Sequence, residues 1–429
     1  MRRLRWEWVC AAVLVLLGAW LRLRHLGLAE FKSDEAIALR IGHDILAGNI
    51  RTTGLTSSSG AANPPLYVYI VAAVVGIHDG VLFATASVAV LMVVAIGLTY
   101  AVVRPRFGDG VALITTGLFA TAPWAVLYGR HLWQQDYLPV VTVALLWAMF
   151  VVLERERTRL VLLVPLLFLV TVQLNLSSVA LALPIVALLV YRRRVVHWWA
   201  AVAGAVVGLV PLAPWLAHNA NHGFRDFSLI VDNGRGHGGG RTGGGTIEAV
   251  RQTIHLVSAE GWGFVTGSQH QAGAAWTLGR IAGIVVIVLF LVGIATSLLR
   301  FRDVRRLLLV VWLVGIWLSY ITSTRSGVGP HYLIISYPVT FLLAALGLAD
   351  LAALVRRREA ALAVAAAVVA AFVAFSVSFQ QYVHAHDGTK GDYGVVYDQT
   401  AALAKAVRAG GLQVDNAAAE YLVSGHLGV

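Results

Sequence analysis

The sequence predicts an all-α integral membrane protein, a polytopic bundle of about eleven transmembrane helices, and three observations carry that expectation. Of the 429 residues, 58% are hydrophobic and only 13% charged, with a mean hydropathy of +0.75, whereas a soluble domain carries roughly 25% charge. Apolar runs of about 20 residues recur along the chain, and helices satisfy their own backbone groups inside a bilayer. The net charge of +11 sits in short arginine clusters between those runs, a pattern that reports topology and not affinity for nucleic acid.

The first span is expected at residues 7–22. MRRLRWEWVCAAVLVLLGAWLRLRHLG has the basic start and apolar centre of a signal peptide, but Leu21-Arg22-Leu23-Arg24 follows in place of a small-residue cleavage site, so this span stays uncleaved. Cys10, the sole cysteine, lies inside it as a small apolar residue and can form no intramolecular disulfide. Further spans are expected near 81–103, 110–127, 137–153, 160–174, 178–191, 197–216, 280–299, 307–323, 333–354 and 360–379. With simple alternation, the clusters at Arg2, Arg3 and Arg5, at Arg104 and Arg106, at Arg155, Arg157 and Arg159, at Arg192 to Arg194, at Arg300 to Arg306 and at Arg356 to Arg358 share one side. The positive-inside rule makes that side cytoplasmic, with the N-terminus.

The apolar stretch from Pro64 to Ile77 is too short for a crossing and reads as a re-entrant or juxtamembrane helix on the outer face, with Pro65 at its start. Two long outer segments remain, 24–80 and 217–279, and function is expected there. Residues 1–379 form the membrane domain and 380–429 a small extracytoplasmic tail. The absence of an internal repeat or of matched Gly/Pro-interrupted helices speaks against a transporter.

The first outer segment carries Phe31-Lys32-Ser33-Asp34-Glu35-Ala36 ahead of Ile37, Ile41 and Ile45, whose spacing predicts an amphipathic helix along the membrane surface. Ser33 or Asp34 would cap it, and both acids suit its positive end. The same position gives Asp34 a chemical use, because a carboxylate held at a helix start beside the membrane can take the proton of an acceptor hydroxyl. Spacing alone leaves capping and catalysis both open.

Ser33-Asp34-Glu35-Ala36 after the first span, Asn63-Pro64-Pro65-Leu66-Tyr67 before the second, the outer turn from Tyr128 to Asp136, and His331-Tyr332-Leu333 through Tyr337-Pro338 together resemble the GT-C glycosyltransferases. Within them the pattern is similar to the GT39-like group of protein O-mannosyltransferases, aminoarabinose transferases and bacterial RgtA/B/C/D-like proteins. The resemblance covers the first four spans well and the rest loosely. It implies a GT-C-type bundle, a donor sugar carried on polyprenyl or dolichyl phosphate, and inverting transfer at the extracytoplasmic face of the cell membrane. Its implied partners are the lipid-linked sugar, membrane lipids and an acceptor protein, lipid or cell-envelope glycan, without nucleic acid. The catalytic acid of the family's Asp-Glu pair corresponds to Asp34, with Glu35 beside it. Asn63 stands where part of the group has a basic residue that contacts the donor phosphate, which argues against an aminoarabinose-type activity.

Arg130, His131, Gln134, Gln135 and Asp136 crowd the turn between the third and fourth spans, flanked by Trp124 and Trp133. They read either as interfacial anchors or as a cation and an acid beside the first loop, where Asp136 orients the acceptor or, with Asp34, holds a divalent cation. Arginine's planar fork suits phosphate, so Arg325 is the first candidate for the leaving group, with Arg130 and His331 behind it. Asn63, Tyr67, His131, Asp136 and Tyr332 complete the expected substrate contacts. The Gly-rich run at 232–245 lacks G-x-x-x-x-G-K-[ST] and follows no predicted strand, so it reads as a flexible outer loop. His384, His386 and Asp387 lack the further ligands of a zinc site. Tyr382, Tyr393, Tyr397 and Leu403 suggest that the tail packs as a helical appendage. The rival expectation, a flippase or transporter of lipid-linked sugars, calls for polar residues within spans, and Gln173, Asn175 and Asn219 at span ends are few.

Overall fold

The computed structural model describes residues 6–57, 60–155, 158–229, 244–267, 273–321, 328–410 and 421. Among these residues the fold is helical, and β-pairing is limited to isolated bridges. α1 (Trp6–Leu23) is followed by α2 (Ser33–Leu46) and α3 (Leu66–Ile77) in the first loop. α4 (Val81–Thr121) runs through two expected spans and breaks at Gly108, whose φ of 85° belongs to glycine. α5 (Pro123–Tyr128), α6 (Leu138–Glu154), α7 (Leu163–Leu174), α8 (Ala182–Tyr191), α9 (Trp198–Leu209) and α10 (Ala213–Asn221) follow. Beyond them lie α11 (Gly245–Leu256), α12 (Gly263–Thr266), α13 (Ala274–Leu299), α14 (Val304–Ser319), α15 (Val339–Leu354), α16 (Arg358–His386) and α17 (Tyr397–Gly410).

Among the described residues, six helices are long and apolar enough to cross a membrane, and a seventh crossing is the pair Pro330–Ser336 and Val339–Leu354, bent by 61°. Each expected span falls on helix. Those at 160–174 and 178–191 are 3-10 turns running into helices of 12 and 10 residues, so the expected eleven exceeds the number that length alone supports.

Arginine clusters distant in sequence meet at one end of the bundle. Arg106 and Arg305 each reach Glu154 at 3.1 Å, and Arg192 donates to the Arg155 carbonyl at 3.0 Å. Arg300 and Arg306 both pair with Asp350, and Arg104 lies 4.8 Å from the ring of Trp8 at the start of α1. The first loop, the turn after α5 and the segment after α16 gather at the opposite end.

Small residues let the long helices touch. A Cβ on Gly347 would stand 2.0 Å from the Leu289 carbonyl oxygen, and one on Gly293 would stand 1.9 Å from that of Leu343, so α13 and α15 meet backbone to backbone. Gly347→Leu is expected to lower the melting temperature of the purified protein by several degrees, since overpacking costs about 1–3 kcal/mol or more. Gly110→Ala, inside α4 and with no atom within 4 Å of its Cβ, should not lower it in the same thermal-shift assay.

α2 forms where the sequence predicts, but its protein-facing side is Glu35, Ala36, Ala38, Leu39 and Gly42. Ile37, from the expected isoleucine stripe, is exposed. Gly42 lets α2 approach α3 closely, at Val71 and Ala72.

Candidate active site

Two arginines set the floor of the site. α4 ends at Thr121 and Pro123 opens α5, so Pro123 has no N–H to give the Phe119 carbonyl. The fully buried guanidinium of Arg22 supplies the missing donors, reaching Phe119 O at 3.3 Å, Ala120 O at 2.7 Å and Ala125 O at 2.9 Å. Arg130 returns the favour at the end of α1, donating to the carbonyls of Leu21, Arg22, Arg24 and His25 at 3.3, 3.1, 2.7 and 2.6 Å. In place of the expected phosphate contact, both terminal nitrogens of the buried Arg130 donate to carbonyls at and just beyond the end of α1.

The first loop is strapped from above by the segment after α16. The Tyr397 N–H donates to Ala29 O at 2.9 Å, the Phe31 N–H to Val395 O at 3.3 Å, and the Tyr393 hydroxyl to Leu28 O at 2.5 Å. The strap is itself anchored on α12, with Thr389 Oγ1 donating to Val265 O at 2.7 Å and the Asp392 N–H to Phe264 O at 2.8 Å.

Between floor and strap the candidate residues converge. Glu35 is buried and both its oxygens are engaged: Oε2 accepts the Lys32 N–H at 2.9 Å and Oε1 accepts the Trp133 indole N–H at 2.6 Å. Glu35, not Ser33 or Asp34, is therefore the acid that caps α2, because only a side chain at the third helical position reaches back to the residue before the helix. Asp34 is exposed, and among the described residues no hydrogen bond or ion pair occupies its carboxylate. Asp136 is buried in the 3-10 turn Gln134–Tyr137. Its Oδ2 accepts the Trp133 backbone N–H at 3.3 Å, while Oδ1 has no partner among the described residues. Asp34, Glu35 and Asp136 all lie within electrostatic reach of the Tyr67 hydroxyl.

Lys32 and Glu30, neither of them a sequence-based candidate, complete the group. Lys32 Nζ is 2.7 Å from Glu30 Oε1 and also donates to the Asp392 carbonyl of the strap. Burial works against its charge, but Glu30 beside it outweighs that and holds the ammonium above the ordinary lysine range. His131, buried 3.5 Å from Glu30, is pushed down to about 3 by burial and by the neighbouring Lys32 and Arg130 cations, so its imidazole is neutral. The signal that could have found this pair is the alternation Glu30-Phe31-Lys32 immediately ahead of the Asp-Glu motif.

The remaining candidates divide. His331 reaches the site, its ring 5.4 Å from that of Trp133, and Tyr332 lies against His331 at 4.1 Å. Asn63 serves its own loop, donating from Nδ2 to Leu55 O at 2.9 Å, and Tyr67 gives its hydroxyl to the Leu132 carbonyl, so both have structural tasks in place of the expected substrate contacts. Arg325 and the Gly-rich run at 232–243 lie outside the described residues. Among the described residues no three His, Cys, Asp or Glu side chains form a metal-binding group.

Burial pushes the Glu35 carboxyl from 4.5 up to about 7 against the pull of its hydrogen bonds. A carboxyl whose pKa rises on folding binds its proton more tightly in the folded state. Its stabilising contribution is thus full below 4.5 and is lost as pH rises to about 7, a span of roughly 3 kcal/mol. The melting temperature is expected to fall across that window, and less steeply in Glu35→Gln. An equal slope in the variant would assign the effect to other groups.

Residues 62–218 match the family of dolichyl-phosphate-mannose-protein mannosyltransferases. The fold is similar to that of ArnT from Cupriavidus metallidurans bound to undecaprenyl phosphate, with a TM-score of 0.63 at 16% identity over 98% of this chain and 85% of that one. It is also similar to the archaeal oligosaccharyltransferase AglB from Archaeoglobus fulgidus in complex with an inhibitory peptide and a dolichol-phosphate, with a TM-score of 0.55 at 14% identity. That likeness covers 97% of this chain, which spans 59% of the archaeal protein. No curated protein matches the sequence. Family match and architecture point the same way: the fold is that of ArnT and of the archaeal oligosaccharyltransferase, and the match to the mannosyltransferase family covers a little over a third of the chain.

Proposed function

We propose that the protein moves a sugar from a polyprenyl-phosphate-linked donor to an acceptor on a protein, lipid or cell-envelope glycan at the extracytoplasmic face, with inversion and with Asp34 as general base. The observation that carries this reading is the setting of Asp34: an exposed carboxylate without a partner among the described residues, at the first turn of α2 and next to buried Glu35, which accepts the Trp133 indole N–H. The lipid phosphates bound to the two similar structures support the donor class.

The reaction is a single displacement. The acceptor oxygen bonds to the anomeric carbon as the bond from that carbon to the phosphate oxygen breaks; the electron pair leaves with the phosphate and the acceptor proton passes to Asp34. Attack from the face opposite the leaving group inverts the centre. The Lys32 ammonium and the N-terminal end of α2 supply positive charge for the departing phosphate, with Arg325 as a further candidate. Asp136 Oδ1, buried and without a partner among the described residues, is the acceptor we assign to a substrate hydroxyl. The gathering of arginines at the other end supports a cytoplasmic N-terminus and an outward-facing site in the cell membrane. On this reading residues 1–379 form the transferase bundle and 380–429 an outer tail that closes over the first loop.

The test incubates membranes containing the protein with radiolabelled polyprenyl-phosphate sugars and follows label leaving the lipid fraction. Transfer that depends on Asp34 is the expected result. Retention of label in the lipid with every donor would sink the transferase reading in favour of a flippase.

A further inference from the structure

Trp133 is tied to every part of the cluster. Its indole N–H donates to Glu35 on α2 and its backbone N–H to Asp136 in the next turn, and its ring lies 5.4 Å from those of both His131 and His331. Lys32 Nζ stands 5.9 Å from the ring centroid. Other tryptophans are used differently: Trp124, Trp215 and Trp312 are buried and give their indole N–H to backbone carbonyls of Glu260, Ala62 and Ile335. Trp133 instead stays partly exposed and spends its N–H on a buried carboxyl. A fixed indole costs little conformational entropy when a ligand packs on it.

We infer that Trp133 is the platform on which the pyranose ring of the donor stacks, and that Glu35 is the positioning residue that holds the platform beside Asp34. This rests on the transferase reading above. The π-face of an aromatic ring is negative, and the C–H bonds on one face of a pyranose are weakly positive, so the two attract while the sugar hydroxyls at the ring edge remain free for hydrogen bonds. Asp34 adjoins Glu35 in the chain, and Glu35 is 2.6 Å from the indole nitrogen, so a sugar lying on this ring presents its anomeric carbon close to the base. His131 and His331, each 5.4 Å from the ring, and Asp136, which accepts the Trp133 backbone N–H, are the polar groups nearest to it for the sugar hydroxyls. The substrate class is a hexopyranose with one face dominated by C–H bonds.

The test uses two lipids, polyprenyl-phosphate mannose and bare polyprenyl phosphate, with the purified full-length protein. The wild type is expected to bind the mannosyl lipid more tightly than the bare one, and Trp133→Leu to lose about tenfold of that preference while binding the bare lipid as before. In the transfer assay KM for the donor should rise about tenfold in Trp133→Leu with kcat nearly kept, and Trp133→Phe, which keeps a ring but loses the N–H that Glu35 holds, should recover only part of the loss. No difference between the two lipids in the wild type would overturn the platform, as would equal losses in the Leu and Phe variants accompanied by a lower melting temperature. A wild type that prefers the mannosyl lipid yet transfers nothing would defeat the transferase reading while leaving the platform standing.

Discussion

Asp34→Asn is expected to abolish sugar transfer while leaving the protein folded and its donor affinity largely intact. The amide keeps the shape of the carboxylate but cannot accept a proton at neutral pH, and a positioned general base contributes roughly 10²–10⁴-fold. The fold removes the obvious competing explanation. Asparagine and aspartate are both good helix caps, but the cap of α2 is Glu35, so a lost cap cannot account for lost activity. Single-turnover transfer with the purified variant, alongside its melting curve, separates the two effects. Near wild-type transfer by a well-folded Asp34→Asn protein would end the case for Asp34 as the base.

The second large effect is expected at Arg22. Arg22→Met keeps the length of the side chain and its apolar stem but removes the donors that serve Phe119 O, Ala120 O and Ala125 O. The Phe119 and Ala120 carbonyls have lost their helical partners at the break before Pro123, and each buried acceptor left unmade costs roughly 1–3 kcal/mol. Against a marginal total stability this is severe. Arg22→Met should yield little monodisperse protein on size exclusion and melt well below the wild type, with Arg22→Lys in between because an ammonium reaches fewer of the carbonyls. A Met variant as stable as the wild type would show that the α4–α5 break does not depend on this cap.

What the sequence makes legible is what local periodicity encodes. Apolar runs place the helices, and the Ser33-Asp34-Glu35 step marks the start of α2 where it is found. The hydropathy pattern does not distinguish a full span from a 3-10 turn leading into a short helix, as at 178–191. The site residues are harder, because their roles depend on partners far along the chain. An arginine in an outer turn reads as a phosphate ligand, and nothing local to Arg130 reveals that the end of α1 lies within its reach. The pairing of Glu35 with Trp133 joins two segments 98 positions apart, and that of Tyr393 with Leu28 joins two that are 365 apart. Glu30 and Lys32, by contrast, stand in the sequence just ahead of the Asp-Glu motif, and their alternation about Phe31 is a local signal of an ion pair.

The strap over the first loop has a consequence for how the folded protein comes into being. The loop that bears Asp34 leaves the ribosome early, whereas residues 389–397, which fasten Leu28, Ala29, Phe31 and Lys32 in place, emerge only after α16 has been made. Domains form from the N-terminal end during synthesis, but this region cannot close until nearly the whole chain has entered the bilayer. A half-inserted molecule therefore holds Asp34 without the clamp over its loop, and it acquires the closed geometry in one late step, when residues 389–397 fold back across the oldest part of the protein.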